Sequence, residues 1–273
     1  LHGETSVNDM SSLRDTALRK IQGIGPRYMP FADVATEAVP LSRLLRLSLF
    51  QVTVGMALVL LVGTLNRVMI VELAVPATLV GVMIALPLIF APFRALIGYK
   101  SDIHKSALGW RRVPYIWKGT MLQFGGFAIM PFALLVLSGY QEAADAPAWI
   151  GRAAAALAFL LVGAGVHTVQ TVGLALATDL VEVEEQPKVV GLMYVMLLVG
   201  MIGSALVFGW LLAPYTPGKL VQVVQGAAVV TVTLNLLALW KQEPRDRERA
   251  ARVETHPEFR DAWRMFVEGR TAV

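Results

Sequence analysis

The sequence contains no cysteine, which excludes disulfides, thiolate metal sites and thiol nucleophiles. Charge is scarce as well: Asp, Glu, Lys and Arg make up 16% of the 273 residues. No carboxylate falls at the centre of an apolar run, where proton-coupled carriers usually keep one. A glycine-rich nucleotide loop, paired catalytic carboxylates, a nucleophile elbow and zinc-ligand spacing are all missing. The chain therefore reads as non-enzymatic. The first 40 residues are polar and hold no apolar core of a secretory signal.

What the sequence has in abundance is apolar length. Hydrophobic residues make up 56% of it, and its mean hydropathy is +0.59. Runs of 18 or more apolar residues recur, which is the signature of membrane spans rather than of buried core helices. Six are expected, at Leu47–Leu65, Ala77–Ile97, Tyr115–Leu137, Ile150–Ala177, Val189–Leu212 and Leu220–Trp240. Each is long enough to cross a hydrocarbon core of about 30 Å at 1.5 Å per residue. Pro87 and Pro92 lie inside the second, where neighbouring helices can satisfy the carbonyls they free. The expected fold is an all-α membrane protein in three parts: an N-terminal segment (1–46), a six-helix bundle (47–240) and a basic tail (241–273). Short connections predict that consecutive helices pack as antiparallel neighbours.

All but three of the 24 Lys and Arg residues, Arg67, Arg152 and Lys219, fall on one side of this arrangement. The positive-inside rule makes that side, with both termini, cytoplasmic. The same clustering at helix ends argues against nucleic-acid binding, although the formal net charge is +4. Leu13, Ala17, Ile21 and Ile24 recur at helical spacing among Arg14, Arg19 and Lys20. They read either as an interfacial helix or as a solvated one. In the tail, Phe259, Trp263 and Phe266 share a helical face suited to the membrane, to the bundle, or to a linker helix. The chain starts at Leu1 rather than Met and stops just after this segment, so both ends read as cut.

One charged stretch organises the rest. Ala91–Pro114, APFRALIGYKSDIHKSALGWRRVP, sets Arg94, Lys100, Lys105, Arg111 and Arg112 around the carboxylate of Asp102, with Gly98 and Gly109 on either side. Gly98, Asp102, Gly109, Arg111 and Arg112 resemble the loop between helices two and three of the major facilitator superfamily, with a longer Asp102–Gly109 spacing than is usual. A closer likeness lies in LSRLLRLSLFQVTVGM, GTLNRVMIVEL, APFRALIGYKSD, GWRRVPYIWKGTMLQFGG and GLMYVMLLVGM. These resemble the bacteriochlorophyll-delivery branch of that superfamily, the family of PucC and LhaA, from about Gly25 to the tail. The resemblance implies one six-helix half, made of two inverted three-helix repeats, with a second half beyond these residues. It also implies an assembly factor for light-harvesting complexes in the inner (intracytoplasmic photosynthetic) membrane of a purple bacterium. Bacteriochlorophyll would be its cofactor, and antenna polypeptides, the reaction centre and membrane lipids its partners.

Asp102 can pair with Arg111 or Arg112 and take backbone N–H groups at a helix start, as an interhelix latch. Arg94 either snorkels to the surface or pairs with Asp102. Arg67 and Glu72 are expected to pair at the opposite interface. His167, mid-span in GAGVHTVQTVG, can hydrogen-bond a neighbouring helix or ligate a chlorin magnesium, with Thr168, Gln170 and Thr171 nearby. Gln51 and Gln123 are intramembrane amides suited to interhelical bonding or to weak magnesium ligation. Gly200 and Ser204 form a small-xxx-small pair for close helix packing. Two rival readings remain: a solute carrier of the major facilitator type, and a stable structural subunit of a photosynthetic complex.

Overall fold

The computed structural model describes residues 39–104, 110–139, 147–243 and 264. The N-terminal helical pattern, Gly109 and the aromatic face of the tail lie outside the described residues. Among the described residues all regular structure is helical, and six helices are long and apolar enough to cross a membrane. They are α1 (Leu41–Glu72), α2 (Ala77–Asp102), α3 (Val113–Ser138), α4 (Ala148–Asp179), α5 (Gln186–Leu211) and α6 (Pro217–Leu239). The described residues thus form a six-helix, all-α membrane fold.

Local sequence explains several boundaries. α1 starts six residues before the apolar run predicts, because Leu44 and Leu47 are buried on one face while Arg43 and Arg46 flank them. Its later turns widen into π-helical bonding over Val59–Leu65 and Val68–Glu72. α2 tightens to a 3₁₀ turn at Leu86–Phe90, where Pro87 and then Pro92 remove amide donors. α3 ends on Gly139 at φ 59°, a left-handed cap that glycine adopts without steric penalty. Thr216 caps α6 by accepting from the Lys219 amide at 3.2 Å.

Close approach, rather than sequence order, decides which helices meet. α3 and α4 are consecutive and form the tightest pair, but α2 lies mainly on α4, α5 on α1, and α6 on α3 and α1. The expectation that every consecutive pair packs together is thus corrected: α5 and α6 barely touch. Glycines mark the contacts. A Cβ on Gly165 would sit 2.5 Å from the Gly119 carbonyl oxygen, and one on Gly126 2.8 Å from that of Ala158. Gly55 and Gly200 bring α1 against α5 in the same way, through the Leu197 and Val52 backbones. Pro87 seats in the hollow at Gly163. Without hydrophobic drive between helices in lipid, such bare backbone surfaces are what van der Waals attraction uses. Phe50, Phe127 and Phe159 fill the centre.

Candidate functional site: a charged clasp and a lateral groove

At one end of the bundle the charged stretch closes a clasp across five helices. Arg112, at the entry to α3, is its hub, with only 8% of its side chain exposed. It pairs with Asp102 of α2 at 2.7 Å. It also grips both carboxylate oxygens of Asp179, at the end of α4, through Nε at 2.6 Å and Nη2 at 3.1 Å. A planar guanidinium suits this fork geometry, which an ammonium cannot match. Arg111 adds a second contact to Asp179 at 2.8 Å.

Asp102 does not take the helix-start amides. Glu243, beyond the end of α6, takes them instead. Its carboxylate accepts from the N–H groups of Arg111 (2.8 Å), Arg112 (3.1 Å) and Val113 (3.0 Å). These donors have no partner inside the helix, and the helix dipole favours an anion there. Lys241, at φ 53°, turns the chain back after α6. Its neighbour Gln242 is then buried, donating to the Arg43 carbonyl at 3.2 Å and accepting from Arg43 Nε at 3.2 Å. Glu243→Ala should lower stability by about 1 kcal/mol, the scale of a lost helix cap. Thermal unfolding in detergent, followed by circular dichroism, checks it.

Of the latch residues read from sequence, Asp102, Arg111 and Arg112 converge here. Gly98 lies a turn inside α2, where a Cβ would rest 3.8 Å from Thr171 Cγ2. Arg94 does not pair with Asp102; its Nε donates to Thr171 Oγ1 at 2.9 Å. Arg67 and Glu72 meet at 3.5 Å near the far end of α1. Nearby, burial and then the Glu72 carboxylate push the Tyr215 hydroxyl above its ordinary pKa, so it stays neutral.

The intramembrane candidates do not converge. His167 faces α2, with the Pro87 backbone as hydrogen-bond partner and its Nδ1 buried without one. Gln123 packs against Gly165 on the α3 side of α4. Gln51 is buried on α1, and the amides of both glutamines lack a protein partner. Gln170 is half-buried on α4. Three residues that sequence reading passed over, Thr53, Thr120 and Asn235, form a buried chain. Asn235 Nδ2 donates to Thr120 at 2.9 Å, and its Oδ1 accepts from Thr53 at 2.9 Å, linking α6, α3 and α1. An isolated Asn in the last span was the available signal.

At the other end, α5 and α6 splay apart over α1 and leave a groove of about 860 Å³. Val52 and Met56 form its floor, and Phe208, Trp210 and Val230 stand among its walls. Gly203 and Gly226 leave bare backbone, with no atom within 4 Å of where a Cβ would stand. Ser204, Lys219 and Gln222 are its polar side chains. Gly200 thus provides the close packing read from sequence, while Ser204 faces the groove. None of His167, Gln170, Gln51 or Gln123 lines it.

The fold and the site together define a membrane-spanning six-helix bundle, clasped at one end and open along one flank at the other. No solved structure matches the chain. The family model described as "PUCC protein" matches residues 64–273, and the chain belongs to that family. "Protein PucC" of Rhodovulum sulfidophilum is 69% identical over 266 residues, covering 96% of this chain and 59% of that protein. "Protein PucC" of Rhodobacter capsulatus is 70% identical over 256 residues, covering 93% and 56%. The "Bacteriochlorophyll synthase 44.5 kDa chain" of Rhodobacter capsulatus is 31% identical over 209 residues, covering 74% and 45%. The chain spans little more than half the length of the two PucC relatives and less than half that of the third.

Proposed function

We propose that this chain belongs to a non-enzymatic assembly factor for bacterial light-harvesting complexes, which holds bacteriochlorophyll in the lateral groove while antenna helices associate. The reading extends to a photosynthetic inner membrane with both termini cytoplasmic, and to antenna polypeptides, the reaction centre and lipids as partners. The groove carries the proposal. Its volume of about 860 Å³ lies toward the upper end of the roughly 300–1,000 Å³ range of ligand cavities. Its wall is apolar, and its open glycines at Gly203 and Gly226 suit a flat macrocycle. Ser204 and Gln222 supply oxygen donors of the kind that magnesium accepts. His167 fits less well: its free nitrogen is enclosed beneath α2, away from any large ring. Bound pigment would supply light absorption and a magnesium centre. The chain's own part is to exclude water, offer an oxygen ligand and leave one side open to the bilayer.

The test is near-infrared absorbance of the full-length protein purified with its pigments. Filling the groove with Gly203→Leu and Ser204→Phe together should cut the bound-pigment band about tenfold, equivalent to ~1.4 kcal/mol. His167→Leu should leave the band unchanged. Loss of the band in His167→Leu alone, with the groove variant unaffected, overturns the reading.

A further inference from the structure

We propose that the α5–α6 groove holds one acidic phospholipid of the leaflet remote from the clasp, with its headgroup on Lys219 and its chains running inward to Val52 and Met56. The groove has two unlike ends. On α6 its lining starts at Lys219, two residues inside the helix, and passes Gln222, Gly226 and Val230. On α5 it runs from Leu211, the last residue of that helix, to Val199 at its middle. Lys219 and Gln222 stand at the outer end and Ser204 partway in, and every lining residue deeper than these is apolar or a glycine. A polar mouth above an apolar bed is the pattern that an amphiphile fits.

Depth and width choose the class of occupant. Val199 and Leu211 are twelve residues apart, about 18 Å at 1.5 Å per residue, close to the roughly 20 Å of one leaflet with its headgroups. Trp210 is exposed at the outer end, and membranes hold tryptophan at headgroup level. Spread over that length, about 860 Å³ gives a mean cross-section of roughly 50 Å². An α-helix, at least about 10 Å across with its side chains, needs roughly 80 Å². A helix could therefore lie over the mouth but not fill the bed, whereas flexible acyl chains can enter it.

Lys219 selects the sign of the head. It is the charged side chain among the lining residues, and among the described residues no carboxylate pairs with its ammonium. One such cation at a membrane surface favours an acidic headgroup over a zwitterionic one by about fivefold. A soluble anion could meet Lys219 but would leave the apolar bed unfilled. Phospholipid meets both ends, and it already surrounds the open flank at high local concentration. The inference goes beyond the pigment reading and does not rest on it. It names what occupies the groove in a pigment-free membrane, and what any pigment has to displace.

The experiment uses the full-length protein in phosphatidylcholine vesicles. These carry a trace of either phosphatidylglycerol or phosphatidylcholine with a photoreactive group at the end of one acyl chain. After illumination, peptide mass spectrometry maps the adducts. The chain-end group should label Val52, Met56 or Val199, and the same group placed beside the headgroup should label Trp210 or Leu211 instead. Phosphatidylglycerol should label the bed about fivefold more than phosphatidylcholine. Lys219→Gln should abolish that preference, and Lys219→Arg should keep it. Gly203→Leu with Ser204→Phe should lower labelling by both lipids several-fold. The ratio of the two lipids is read without pigment, so its failure is separate from a failure of the pigment reading. Three outcomes overturn the proposal: equal labelling by the two lipids, a preference indifferent to Lys219→Gln, or no lipid adduct on Val52, Met56 and Val199, as when another part of the full-length protein covers the flank.

Discussion

Arg112→Leu should destabilise the protein by about 3 kcal/mol, the lower part of the range for breaking a buried ion pair. The lower part applies because Asp102 and Asp179 keep 49% and 36% of their side-chain surface exposed, so water offsets some of their lost partner. The loss is still large. One buried guanidinium serves two carboxylates from two other helices. Removing it leaves Asp102 without its ion-pair partner and Asp179 held by Arg111 alone across the seam between α2 and α4. Arg112→Lys should recover only part of the stability, since an ammonium cannot span both oxygens of Asp179. Equilibrium unfolding in mixed micelles by tryptophan fluorescence reads the difference. A change under about 0.5 kcal/mol in Arg112→Leu, the range of ordinary surface substitutions, would remove the clasp from the account of stability.

The second large effect is steric. Gly165→Ala should cost about 3 kcal/mol, at the upper end for overpacking, and Gly165→Leu should abolish the folded state. The new Cβ would stand 2.5 Å from the Gly119 carbonyl oxygen and 2.7 Å from the Gln123 amide nitrogen. Both neighbours are α3 backbone, which cannot rotate away as a side chain can. Gly203→Ala gives the contrast. It meets nothing within 4 Å, and trading glycine for alanine inside a helix gains roughly 0.5–1 kcal/mol. Opposite signs for one substitution at two helix glycines, read as thermal midpoints in detergent, check the α3–α4 packing.

Much of this architecture was legible in the sequence. Apolar run length gave the six spans, because a bilayer imposes a minimum length and forbids unpaired backbone. The same reading placed Arg111 and Arg112 beside Asp102. It could not show Asp179 and Glu243 in the same cluster, since both lie far along the chain and carry no local pattern. Helix order in space was hidden for a related reason. Pro87 and Gly163 are separate features in sequence, and only their fit shows that α2 leans on α4. The groove was less visible still, because it arises where α5 and α6 fail to meet. Ser204 reads as a packing residue until the neighbour it would pack against proves to be missing.

The clasp also fixes an order of events during synthesis. Glu243 is 131 residues from the Arg112 amide it caps, and Gln242 is 199 from Arg43. While α1 to α5 enter the membrane, the first turn of α3 therefore has no protein anion at its amides from this source. Closing so long a loop is entropically unfavourable, and contacts of such separation form late. Arg112 can meet Asp102 and Asp179 once α4 is in place, but the Gln242 and Glu243 contacts mark completion: they form only after the sixth helix has been made and placed, and a chain halted before residue 242 would leave the starts of α1 and α3 unjoined.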